Sequence, residues 1–142
     1  MRRYFEFALV VTLLGGISLQ LLRSLDSTRL AVEEAVVQSE AAAIRIGLLE
    51  VVTHREAFGG AWPASDNPLA WVAAPPVNYA GEFDAAPSGQ AIWYFDRTAR
   101  ELVYRFRDGH LARFRLSRNA GASQGRAVLA GIGLQRLPDR PE

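Results

Sequence analysis

His54 and His110 are the only histidines in the chain, and there is no cysteine. A metal centre would have to draw carboxylates to these two side chains through the fold, because no zinc-ligand spacing is present. No thiolate nucleophile or disulfide is available. The serines come with neither a nucleophile-elbow sequence nor a phosphate-binding glycine pattern. Glu33 and Glu34 supply two carboxylates, but adjacent helical residues do not face a common site. The residue types thus predict neither an enzyme nor a metal or cofactor. Two other features remain. Glu6 stands at the head of a long apolar run, where an acid is costly: it either sits at the lipid interface beside Arg2 and Arg3 or has a specific pairing role. Arg105, Arg107, Arg113 and Arg115 alternate along two neighbouring segments, which puts them on one face of a strand pair. Such a stripe can meet nucleic acid, but it lacks aromatic interleaving on its own face. It reads as a solvated face or a surface for an acidic protein partner.

These residues need elements to position them. The chain has 142 residues, 49% hydrophobic and 22% charged, which suits one domain plus an anchor. All 16 basic residues are arginine. Residues 26–56 carry six acids against three arginines, whereas residues 97–126 carry eight arginines against Glu101 and Asp108. An acidic helix and a basic sheet are the expected consequence.

Residues 7–22 read FALVVTLLGGISLQLL without a charge. As a helix they extend about 24 Å, and adding residues 4–6 gives about 28 Å, close to a bilayer core. Phe7, Leu9, Val10, Val11, Leu13, Leu14, Ile17, Leu19, Leu21 and Leu22 are the expected lipid-facing anchor. Arg2 and Arg3 precede the run and, by the positive-inside rule, orient the N-terminus to the cytoplasm. The run continues into Arg23 and an amphipathic pattern without a small-residue cleavage site, which favours an anchor over a cleaved signal peptide. Leu30, Val37, Ala41, Ile44, Leu48 and Val51 then form one apolar stripe, predicting a continuous helix from about Arg3 to Phe58. Gly15-Gly16 is its expected soft spot, and Gly59-Gly60 its end.

Residues 59–90 are rich in proline, glycine and alanine, yet Trp62, Trp71, Tyr79 and Phe83 call for an ordered, packed connection. Asn67-Pro68 reads as a helix cap opening a short helical turn. Residues 91–95, 101–107 and 110–117 read as strands of an antiparallel meander. A two-residue turn at Asp108-Gly109 would place arginines opposite Leu102 and Tyr104. A three-residue loop instead pairs Phe106 with His110, Tyr104 with Ala112 and Leu102 with Phe114. That register is preferred, because Leu102, Tyr104, Phe106, Ala112, Phe114 and Leu116 then share the core face. Residues 119–125 read as a loop and residues 127–137 as a last strand. The expected fold class is α+β: a long N-terminal helix, membrane-spanning in its first half, packed on a small antiparallel sheet. The expected division is a cytoplasmic tip and anchor at 1–23, an extramembrane helix at 24–58, and a sheet segment at 59–142 that forms one domain with 24–58.

This layout resembles the type IV pilins and the pseudopilins of type II secretion. Glu6 followed by FALVVTLLGGISL is similar to the family's glutamate and apolar run, and WYFD with ELVYR is similar to a sheet sequence of minor pilin-like proteins. The resemblance implies that Glu6 neutralises the N-terminal amine of a neighbouring subunit during assembly. The family's leader ends in glycine before phenylalanine, whereas Arg3-Tyr4-Phe5 stands here. An unprocessed accessory or minor component, rather than a major pilin, is the expectation. The implied setting is the bacterial inner membrane, single-pass, with the C-terminal domain periplasmic. Implied partners are other pilin-like subunits or inner-membrane assembly proteins, together with membrane lipid. Neither nucleic acid nor a small-molecule substrate is expected. The alternative is a membrane-tethered periplasmic binding or sensing domain with no filament role.

Overall fold

The computed structural model describes residues 2–117 and 132–138. Helix α1, Arg2–Phe58, runs without a break through Gly15 and Gly16. It stops where Gly59 and Gly60 take φ of 75° and 126°, and the Gly59 amide closes the last turn on the Arg55 carbonyl at 2.7 Å. A left-handed glycine just past the last turn is the low-strain way to end a helix. The chain divides into two compact units, Met1–Val36 and Val37–Glu142.

The first unit is helix alone. Every side chain described between Tyr4 and Val32 is exposed. The polar side chains Thr12 and Thr28 turn back on the helix, each hydroxyl donating to the carbonyl four residues earlier at 2.9 Å. A hydroxyl satisfied by its own backbone removes one polar group from the helix surface.

In the second unit, residues 37–58 of the helix pack on one face of a five-stranded sheet, an α+β arrangement. The strands are β1 (Tyr79–Phe83), β2 (Ile92–Asp96), β3 (Glu101–Arg105), β4 (Leu111–Ser117) and β5 (Gly133–Arg136), in spatial order β1-β2-β3-β4-β5. Strands β2 to β5 are antiparallel, but β1 lies parallel to β2, so the sheet is mixed rather than purely antiparallel. Strand β1 was hidden in the sequence by Gly81, whose φ is 117°, and by a bulge between Tyr79 and Glu82. Neighbouring parallel strands need a return connection, usually a dozen residues or more. Here only residues 84–91 provide it. Extended, eight residues reach about 26 Å, enough to retrace a five-residue strand of about 17 Å. Asn78 fixes the return, its carbonyl accepting from the Trp93 amide at 3.1 Å and its Nδ2 donating to the Ala91 carbonyl at 2.9 Å.

The core forms where Val37, Ala41, Ile44 and Leu48 meet Trp93, Phe95, Leu102, Tyr104, Phe106, Ala112, Phe114 and Leu134, all buried. One end of the expected stripe differs: Leu30 is 38% exposed and belongs to the first unit. At the other end half-buried Val51 packs against the core, and Val52 beside it is buried as well. Gly47 allows close approach of the connection, since a Cβ there would lie 2.8 Å from Val72 Cγ1. Asn67 caps the short 3-10 helix Pro68–Ala70 by accepting from the Leu69 amide at 2.9 Å, and it also donates to Tyr79 Oη and Glu82 Oε1. Of the two tryptophans in the connection, Trp71 is buried and donates to the Ser65 carbonyl, whereas Trp62 is exposed under Arg55.

The β3–β4 hairpin has the three-residue loop: Leu102 faces Phe114, Tyr104 faces Ala112, and the Phe106 amide donates to the His110 carbonyl at 3.0 Å. Gly109 holds φ of 94° at the loop's left-handed position. The loop read at 119–125 and the first part of the last strand, 127–131, lie outside the described residues.

Candidate functional site

Three surfaces carry the residues singled out by sequence. The first is the anchor. Phe7, Leu9, Val10, Val11, Leu13, Leu14, Ile17, Leu19, Leu21 and Leu22 are all exposed, so nothing among the described residues shields this apolar length. The helix is long and apolar enough to cross a membrane. Glu6 is exposed at its head.

The second surface is the sheet face turned away from α1. Arg105 on β3 and Arg113 and Arg115 on β4 alternate onto it, while Arg107 stands in the β3–β4 loop, and they are not a plain solvated row. Val103 and Tyr94 share this face and are each only 2% exposed, and Glu101 is 3% exposed. The arginine stems and the β1–β2 connection border these groups. Arg115 Nη2 donates to Glu101 Oε1 at 2.7 Å, and Arg105 Nη1 donates to the Pro87 carbonyl at 3.1 Å. Arg113 is half-buried, with Nε fully buried and without an acceptor among the described residues. Only Arg107 is exposed with no such engagement. Burial pushes the Tyr94 hydroxyl pKa up, Asp96 adds to this, and Arg105 and Arg113 oppose it. Phe83 meets the Tyr94 ring edge-on at 6.5 Å. Long arginine stems can bury apolar surface while their heads stay wet. Strand alternation located this face; it could not show that Val103 and Glu101 would be buried on it.

The acidic helix is also partly spent inside the domain. Glu40 accepts a hydrogen bond from Trp93 Nε1, and Arg45 Nε donates to the Leu134 carbonyl at 3.1 Å. These residues flank the apolar stripe, one tying the helix to β2 and the other to β5. Arg45 thereby occupies a backbone acceptor on an edge strand, which limits edge pairing.

The third surface was not singled out by sequence: Ala42, Ile46, Leu49 and Thr53 are all exposed, Ile46 at 68%. Its signal was present as a second series at four-, three- and four-residue steps, opposite the sheet-facing stripe.

The histidines lie apart in separate settings. His54 sits in the last turns of α1, with its ring 4.8 Å from Phe58. His110 stacks on Phe106 at 3.7 Å and pairs through Nδ1 with Asp108 Oδ1. Among the described residues no cluster of three metal-ligating side chains occurs. Burial raises the Asp108 carboxyl pKa, but hydrogen bonds from the His110 amide and ring, with the His110 charge, together bring it below its ordinary value. A carboxylate whose folded pKa is depressed stabilises the fold above the unfolded value, about pH 4, and that contribution is lost as pH falls through the folded value. Thermal unfolding measured from pH 6 to pH 3 is therefore expected to show a steeper acid loss for the unmodified chain than for His110→Ala. The pair is solvent-exposed, so the difference should be about 0.2–1 kcal/mol.

No protein-family model matches the chain, and no curated protein or solved structure matches it either.

Proposed function

We propose that the chain is a pilin-like structural or assembly component of a type IV pilus or type II secretion-like system, anchored in the bacterial inner membrane with its sheet domain in the periplasm. The observation that carries this reading is the single unbroken helix α1, apolar and uncovered in its first part and the packed spine of an α+β domain in its last. A helix joining anchor and domain without a loop suits a subunit whose membrane segment and extramembrane body are used together. Arg2 and Arg3 supply the orientation, with the N-terminus cytoplasmic. Glu6, at the head of the apolar run, is the residue to pair with a neighbouring subunit's amine.

Two measurements test the reading. An alkaline phosphatase fused after Glu142 should be active, and a reporter that works only in the cytoplasm should be silent at the same position. The opposite pair of results overturns the localisation. A strain lacking the gene should lose pili or secretion, regained with the full chain but not with a chain lacking residues 1–23. Pili and secretion that persist without the gene overturn the assembly role and leave a tethered binding domain.

A further inference from the structure

We infer that Ala42, Ile46, Leu49 and Thr53 of α1 form a contact face for the same helix of a second copy, the two helices running parallel. The inference rests on the proposal of a membrane-anchored assembly component and names a partner and a geometry for it.

The face lies opposite the stripe that meets the sheet. All four residues are exposed, with Ile46 at 68% and Leu49 at 37%, and none bears a charge. Their steps of four, three and four residues are those of a coiled-coil seam, with Ile46 and Leu49 in the two inward-facing positions of a seven-residue repeat. In the sequence the same steps continue back through Ser39, Ala35 and Val32.

Charge on the flanks selects the partner. Arg45 immediately precedes the seam residue Ile46, and Glu50 immediately follows Leu49. In a parallel pair of seven-residue-repeat helices these flanking positions face each other, so Arg45 of one copy meets Glu50 of the other, twice per pair. An antiparallel pair of this segment would set like flanking charges together. Glu50 is exposed and has no partner among the described residues. Arg45 uses Nε on the Leu134 carbonyl, leaving its two outer nitrogens for a carboxylate. Two copies anchored by equivalent N-terminal helices in one membrane already run parallel. The face is too short to reach the roughly 1,200 Å² of a stable interface, so the pairing depends on the high effective concentration that a shared membrane provides.

The chain has no cysteine, so single introduced cysteines report contacts without background. Helices packed about 8–10 Å apart bring equivalent seam residues of a parallel pair within disulfide reach, a Cα separation of about 4–7 Å. Full-length Ile46→Cys in native membranes, oxidised mildly, should yield a species of twice the chain mass. His54→Cys, about 100° round the helix from Thr53, and Arg107→Cys in the β3–β4 loop should yield little. Adding Glu50→Arg to Ile46→Cys should lower the dimer fraction about fivefold, and Glu50→Gln should lower it less. Fractionation of the same membranes separates the two levels of the argument. Protein that stays in the membrane but cross-links no better at position 46 than at 54 or 107 overturns the helix pair alone. So does an adduct at position 46 to a protein of another mass, or a dimer insensitive to Glu50→Arg. Protein absent from the membrane fraction overturns the anchored reading on which the pair rests.

Discussion

Trp93→Ala is expected to lower the stability of the domain by about 4 kcal/mol, the largest effect of any single substitution considered. Trp93 has no exposed surface and touches Tyr104 and Phe114 with ring centroids at 5.1 and 5.4 Å. It also donates its indole N–H to Glu40, so removing the ring opens a cavity in the helix–sheet interface and deprives that carboxylate of a donor. Trp93→Phe separates the two effects. It keeps most of the volume while losing the hydrogen bond, and should cost about 1–3 kcal/mol. Urea unfolding followed by tryptophan fluorescence and circular dichroism checks both. A Trp93→Ala protein within 1 kcal/mol of the unmodified chain, an order-of-magnitude threshold for a surface site, would show that the helix does not rest on the sheet through this residue.

Arg115→Ala is expected to cost about 2–3 kcal/mol, far more than an exposed arginine normally contributes. The reason lies in its partner: Glu101 is 3% exposed, while the Arg115 side chain is 54% exposed. Removing the arginine leaves a buried carboxylate whose desolvation is no longer offset. Removing the acid leaves an arginine that water can solvate. Glu101→Gln should therefore be milder than Arg115→Ala, and the double substitution Glu101→Gln with Arg115→Ala should recover much of the loss, as a double-mutant cycle in urea would measure. Equal costs for the two single substitutions would place Glu101 in contact with water. The same geometry alters what to expect if all four face arginines become glutamine. If these arginines were only a solvated face or a surface for an acidic partner, that variant would remain folded and merely bind a partner less well. With Arg115 holding Glu101 and Arg105 holding the Pro87 carbonyl, it should also unfold at lower urea concentration. Arg107 is the position where a partner's charge can be tested without that complication.

Local patterning carried much of the architecture. The uncharged run, the absence of proline before Pro63 and the glycine pair after Phe58 suffice to define α1, because helix limits depend on nearby residues. The β3–β4 register was also legible, since only one loop length keeps Leu102, Tyr104 and Phe114 off the arginine face. Asn67-Pro68 declared itself by cap chemistry, which spans three residues. Strand β1 was not legible. Its parallel pairing with β2 depends on a bulge, a left-handed Gly81 and a short return held by Asn78, and no periodicity encodes that combination. The candidate surfaces divide in the same way. The anchor and the arginine alternation are one-dimensional patterns. Which arginines are engaged is not.

By itself, then, the order of residues determined where the helix begins and ends, which stretch suits a bilayer, and which side of β3 and β4 is apolar, all properties set within a few residues along the chain. Only the tertiary structure decided that Glu40 and Arg45 would be drawn to Trp93 and Leu134, that Glu101 would be buried beside a half-exposed Arg115, and that Ile46 would be left uncovered. Those outcomes join residues 53, 89 and 14 positions apart or depend on which helix face the sheet covers. Burial of a charge or exposure of an isoleucine is a property of the space around it, and that space is supplied by strands whose positions the local pattern does not contain.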